Sequence, residues 1–297
     1  MSTATVYERF GQSWSEFRCC DTQFVARAAG VRTQRAVDEA RATAQRIERQ
    51  LDAFDEESAV AELAREGVVE NEHVARVVRR GVAYYEQTDG VFDIHQGRVE
   101  HELKSFLDGE TASPPETFDT GAVRVDGPVV ETNTPLDLNG LAKGYIVDRA
   151  AATLDGLGRT GFVSGGGDSS PPTGPVAVES PYGDERPIRT LDTDWAVATS
   201  GGYRRQRDGV DHLYDPTTEH VGSRHDSVTV VAQRDCTEAD AAATTLAALP
   251  PDDARVVAAE WAGVEALLVH DGRIETTAGF HDHVHDRARF GRWGDRS

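Results

Sequence analysis

Runs of strand period and runs of helix period follow one another in this chain without the regular alternation that a doubly wound parallel sheet requires. Ala36, Ala40, Ala44, Ile47 and Leu51 recur at helical spacing and predict a helix over 33–54. A second helix is predicted over 73–86 through Val74, Val77, Val78 and Tyr85. Strand-like runs stand at 122–125, 129–132, 162–164, 176–179 and 227–232. Further helices are predicted over 144–154, 238–248 and 252–261. Residues 109–120, rich in Pro, Thr, Ser and acidic side chains, read as a surface loop. No internal repeat is visible. The expected class is α+β, with mixed sheets and packed helices.

The length of 297 residues allows one large domain or two smaller lobes. A net charge of −20 disfavours nucleic acid and anionic membranes as partners. Lys104 and Lys143 are the only lysines, so nearly all cationic charge is arginine. So acidic a surface suits a salt-rich, halophilic-like cytoplasm, where ions screen self-repulsion. No stretch of 18 apolar residues exists, and no transmembrane helix is predicted. The first twenty residues lack a basic start followed by an apolar run. A secretory signal is therefore not expected, and a cytoplasmic location is. Cys19, Cys20 and Cys236 give neither a disulfide framework nor a metal-ligand spacing, and read as buried thiols.

Against so few lysines, the run from Leu136 to Asp148 stands out: Leu-Asp-Leu-Asn-Gly-Leu-Ala-Lys-Gly-Tyr-Ile-Val-Asp. Glycines let backbone N–H groups approach an anion, a helix N-terminus favours negative charge, and Lys143 adds a point charge. The spacing is not that of a P-loop. A lysine at an ordinary helix start explains the run equally well. Gly165-Gly166-Gly167-Asp168, after an apolar run, allows close approach to a ligand or simply a tight turn. Residues 196–203, with Thr199, Ser200 and two glycines, can hold phosphate oxygens. His212, in His212-Leu213-Tyr214-Asp215-Pro216, can take a proton from a hydroxyl, although a lone histidine is as readily structural.

Asp240 and Thr244 share a helix face and offer hard oxygens suited to Mg²⁺. Thr237 as N-cap, with Asp240 at the third helical position, accounts for the same residues. His281, His283 and His285 would share one face of a strand, as Zn²⁺ ligands would. Near the end of a polar tail they read instead as a solvated segment without a catalytic metal.

In this order the segments resemble the FAD:protein FMN transferase (ApbE-like) family, from Cys20 to Phe280. Asp89-Gly90-Val91-Phe92-Asp93 is similar to its Gly-x-Phe-Asp segment. Leu136 to Asp148 is similar to its Asp-Leu-Gly-x-x-Ala-Lys-Gly-x-x-x-Asp motif. Ala239-Asp240-Ala241-Ala242-Ala243-Thr244 is similar to its Ala-Asp-x-x-x-Thr magnesium motif. The resemblance implies a single domain over 1–297, with two intertwined lobes around a flavin cleft. It implies Mg²⁺ held by Asp240, Thr244 and the carbonyls of Ala142 and Ala243. It implies FAD against Val91, Phe92, Asp93, Asn139, Lys143, Tyr145, Gly166, Gly167, Ser200, His212 and Leu213. The implied reaction is Mg²⁺-dependent transfer of FMN from FAD to a Thr or Ser of a separate acceptor protein, releasing AMP. Lys143, Asp240 and His212 would be catalytic, His212 as the base. Hydrolysis of FAD to FMN and AMP, or FAD binding without catalysis, are the alternatives. The chain departs from the pattern at Cys20-Asp21-Thr22 in place of Met-Gly-Thr, at 94–104 where a Pro-Leu pair is missing, and at Glu219 in place of Gly.

Overall fold

A computed structural model describes residues 5–9, 11–183, 186–202 and 206–285; Tyr203 lies outside them. Nine strands form one sheet whose spatial order is the chain order. They are β1 (Thr5–Arg9), β2 (Gln12–Cys19), β3 (Thr22–Ala29), β4 (Thr160–Gly165), β5 (Asp168–Ser169), β6 (Ala196–Ser200), β7 (Ser227–Ala232), β8 (Val264–His270) and β9 (Arg273–Thr276). Every neighbouring pair is antiparallel. Between β3 and β4 the chain makes α1 (Thr33–Leu51), α2 (Ala59–Glu66), α3 (Glu72–Gln87), α4 (Gly97–Leu107) and α5 (Asn139–Gly156). Between β7 and β8 it makes α6 (Cys236–Ala248) and α7 (Pro251–Glu260). Helices inserted in blocks into an antiparallel meander give the α+β class. No helix among the described residues is long and apolar enough to cross a membrane.

Both faces of the sheet are covered, and strand periodicity sorts the side chains between them. Val228, Val230 and Ala232 of β7 join the main core beneath α1, α5 and α6. Val231 points the other way, with Val197, Leu267 and Val269, into a second core closed by Phe280 and Val284. Small side chains let helices approach closely: Ala36, Ala40 and Ala44 of α1 are fully buried.

Helices α5 and α6 cross at close range. A Cβ on Gly144 would stand 2.4 Å from the Cys236 carbonyl oxygen, and one on Gly140 would stand 3.0 Å from Thr244 Cγ2. Gly144 thus lets the helix backbones touch, and Gly140, one turn earlier, makes room for the Thr244 and Phe92 side chains. Every residue of α6 is buried except Thr244, which is half-buried.

Several boundaries differ from those the sequence predicts. Helix α1 ends at Leu51, where Asp52 turns extended. Helix α5 begins at Asn139, so Lys143 lies within its first turns and not ahead of them. Helix α6 begins at Cys236, and its N-cap is Asp235, whose side chain accepts from Glu238 N; Thr237 is already helical. Residues 280–283 form a 3₁₀ turn, which does not hold alternate histidines on one face. His283 is buried against Trp195 and meets Thr193 Oγ1 at 2.8 Å, so the segment is packed through His283 and Val284, while His281, Asp282 and His285 are exposed as a solvated segment requires.

Candidate active site

The α5–α6 crossing sets the site. Asp148, late in an apolar helix, accepts from the backbone N–H groups of Cys236 and Thr237, each at 2.9 Å. Those are orphan donors at the start of α6, so the bond fixes the helix in register. One turn further on, Asp240 Oδ2 accepts from Gly144 N at 2.9 Å, and Oδ1 lies 3.2 Å from Lys143 Nζ. From the opposite side Asp168 reaches the same ammonium. Gly166 and Gly167, at φ 61° and 103°, turn β4 into β5 and place Asp168 there. A Cβ on Gly166 would press on Thr22 Cγ2 at 2.8 Å, so this turn admits no larger residue without a shift.

Asp168 is 1% exposed, Asp240 is 3% exposed, and the Asp168 Oδ1 atom has no hydrogen-bond partner. Burial disfavours the lysine's charge, but the facing carboxylates more than restore it and hold Lys143 protonated. Burial, and next the nearness of Asp240, push the Asp168 carboxyl well up, with Lys143 opposing. Two carboxylates face one ammonium, with a carboxylate oxygen unused. This donor set fits a further cation. Thr244 supplies a hydroxyl on the same wall.

The cluster lies on the wall of a cavity of about 820 Å³, within the size range of small-molecule sites. Of the residues singled out from sequence, Val91, Phe92, Asp93, Asn139, Ala142, Lys143, Gly166, Gly167, Ser200, His212, Leu213, Asp240 and Thr244 line it. Tyr145 and Ala243 do not. Two residues beyond Lys143, Tyr145 is turned by about 200° around the helix axis. Its hydroxyl instead meets His73 Nδ1 of α3 at 2.8 Å.

The turns that present the other lining residues are tied internally. Asp93 meets His95 Nδ1 at 2.6 Å and accepts from His95 N at 2.9 Å and Gln96 Nε2 at 2.7 Å; these contacts, the His95 side chain first, outweigh burial and lower its proton affinity. Asp215 accepts from Thr217 N at 2.9 Å and Thr218 Oγ1 at 2.8 Å, closing the turn that follows His212. Glu219 adopts φ 52°, in the left-handed region that glycine enters most readily.

Sequence reasoning assigned no role to Asp148, Asp168 or Glu100. A carboxylate amid Tyr145-Ile146-Val147 and Ala150-Ala151 was the available signal for Asp148. Glu100 of α4 is 9% exposed; its Oε1 accepts from Asn139 Nδ2, and its Oε2 has no hydrogen-bond partner and lies 3.6 Å from His101 Nδ1. Burial first, and Asp137 next, push its carboxyl up from the usual 4.5 to about 9. A carboxyl raised in the folded state takes up a proton on folding. This group therefore costs stability progressively as pH rises through the window from 4.5 to about 9. Glu100→Gln, neutral at every pH, is expected to raise the urea midpoint at pH 8 and to leave it nearly unchanged at pH 4. Equal midpoints at both pH values would show that Glu100 is not protonated on folding.

Fold and cluster together define an α+β protein built around one large cavity, with a lysine held between two carboxylates. The profile of the ApbE family matches residues 19–268, and the chain belongs to that family. The FAD:protein FMN transferase of Treponema pallidum (strain Nichols) is 32% identical over 180 residues, which are 52% of this chain and 49% of that protein. The chain thus matches about half the length of that curated relative. Among solved structures, the ApbE protein of Thermotoga maritima superimposes with a TM-score of 0.80 at 24% identity, over 96% of this chain and 100% of that one. The flavin transferase ApbE of Vibrio cholerae does so with a TM-score of 0.74 at 20% identity, over 95% of this chain and 100% of that one. These two likenesses concern the fold.

Proposed function

We propose that this chain transfers FMN from FAD to a threonine or serine hydroxyl of a separate acceptor protein. The observation that carries the proposal is the buried Lys143–Asp168–Asp240 cluster, with its unused carboxylate oxygen, on the wall of a cavity large enough for a dinucleotide. The name of the Treponema relative supports the same activity. Flavin binding alone has no use for such a charge arrangement.

The acceptor oxygen attacks the FMN phosphorus, the bond from that phosphorus to the bridging oxygen breaks, and AMP leaves with that oxygen. His212, exposed on the cavity wall, takes the hydroxyl proton. Lys143 and the N-terminal N–H groups of α5 present fixed positive potential to the pyrophosphate. Asp240, Thr244 and the carbonyls of Ala142 and Ala243 would hold Mg²⁺, which when bound offsets charge developing on the leaving phosphate. Val91, Phe92 and Leu213 give the cavity apolar walls.

His212→Ala is expected to slow AMP release in the presence of an acceptor by about 10²–10⁴-fold, the usual contribution of a general base. FAD affinity should change little. Incubation with FAD, with and without Mg²⁺, and chromatography of AMP checks both points. A loss confined to FAD affinity would make His212 a binding residue and remove it from the chemistry.

A further inference from the structure

Away from the Lys143 cluster, three ligand-type side chains meet where β2 turns into β3. Cys19 ends β2, and Cys20 and Asp21 form the turn at φ 50° and 55°. Residues adjacent along a strand point to opposite faces. The left-handed turn instead brings the Cys20 sulfur to 3.9 Å from that of Cys19. Glu48, on the last turns of α1, adds a carboxylate that also accepts the Cys20 N–H. One ligand atom from each of the three lies within 4.8 Å of the others, and no other trio of His, Cys, Asp or Glu meets so closely among the described residues.

The sulfur separation carries the argument. Two thiolates at about 2.3 Å from a tetrahedral Zn²⁺ stand about 3.8 Å apart. A disulfide would need about 2.05 Å. The observed 3.9 Å rules out a disulfide and matches the separation that two thiolates on one ion require. Cys19 is buried, whereas Cys20 and Glu48 are half-buried and line the cavity, which gives an ion a way in. Two soft sulfurs and one oxygen suit a borderline-soft cation and are the wrong set for Mg²⁺. Sequence spacing hid the site, because its third ligand comes from a helix.

We propose that Cys19, Cys20 and Glu48 form a site for a thiophilic divalent cation of the Zn²⁺ class, with a coordination position left open toward the cavity. Each thiol gives its proton to solvent as its sulfur binds, so loading one ion releases two protons. The proposal does not depend on the transfer reaction.

The test is titration of Co²⁺ into the reduced, chelator-treated full chain, read by absorption. A thiolate-to-cobalt charge-transfer band should grow to one ion per chain and be displaced by Zn²⁺. The band should vanish in Cys20→Ser and survive in Asp240→Asn, since oxygen ligands give no such band. Glu48→Gln, which keeps an acceptor for the Cys20 N–H, should weaken binding about tenfold or more, or roughly 1.4 kcal/mol. Absence of the band in the unaltered chain, or its persistence at full strength in Cys20→Ser, would overturn the site. Unchanged affinity in Glu48→Gln would overturn the three-ligand assignment.

Discussion

Asp240→Asn is expected to lower AMP release from FAD by about a thousandfold and to abolish its dependence on Mg²⁺. The residue has two duties. One oxygen faces Lys143, and the other accepts the Gly144 N–H, so Asp240 both supplies charge and anchors α5 on α6. The amide keeps an acceptor for Gly144 and removes the charge. A lost metal ligand forfeits several kcal/mol of transition-state stabilisation, and about 4 kcal/mol corresponds to three decades in rate. Turnover in single-turnover conditions, beside a thermal melt to establish folding, checks this. A folded variant that keeps its Mg²⁺ response within tenfold of the unaltered protein would remove Asp240 from the metal site.

Gly144→Ala should be strongly destabilising. The added Cβ would lie 2.4 Å from a backbone carbonyl oxygen of α6, where no flexible side chain can give way. Overpacking of this kind costs about 3 kcal/mol. Relief requires α5 and α6 to separate, which draws Lys143 away from Asp240, so activity should fall with stability. Gly156→Ala, at the end of the same helix with nothing within 4 Å of the added atom, should be neutral or stabilising by up to about 1 kcal/mol. Urea midpoints of the two variants give the comparison. Equal midpoints would mean that the crossing is looser than the backbone contact implies.

How much of this was legible in the sequence depended on where the polar residues went. The α1 face read directly, because Ala36, Ala40, Ala44 and Ile47 repeat at helical spacing and are all buried. Strand β7 read as apolar, and all its residues are inside. Strand β2 did not read, because two of its inward positions are Ser13 and Ser15, both fully buried. Ser13 meets Thr33 Oγ1 at 2.7 Å, a partner from the next helix that no local pattern announces. Helix α4 was hidden in the same way by Glu100, a charged residue type that the fold turns inward. The start of α5 was placed at Gly144 and not at Asn139 because Gly140 and Gly144, around Lys143, read as an anion-binding approach to the helix. Their actual purpose is helix contact, which depends on α6, nearly a hundred residues away.

The site was legible as a set of segments and not as an arrangement. Order along the chain brought Lys143, His212 and Asp240 into consideration, and the cavity unites them with Asp168. What spacing could not convey was orientation. Tyr145 sits two residues from Lys143 yet bonds to His73 on another helix. Conversely, Asp148 never touches the cavity wall but fixes the start of α6, and with it the position of Asp240.

The most direct test of the central claim is incubation of the full chain with FAD, Mg²⁺ and an acceptor domain, followed by mass spectrometry of both proteins. The acceptor should carry Asp-x-x-[Ser/Thr]-[Gly/Ala]-[Ser/Ala]-Thr, the pattern that the family resemblance implies. The nearest segment of this chain, Asp194-Trp195-Ala196-Val197-Ala198-Thr199, has no hydroxyl at the fourth position, and Thr199 lies within β6. The expected result is FMN mass on the acceptor in step with AMP, and none on the chain itself. AMP released while the acceptor stays unmodified, with the same acceptor modified by another flavin transferase, would contradict transfer and leave hydrolysis of FAD in its place.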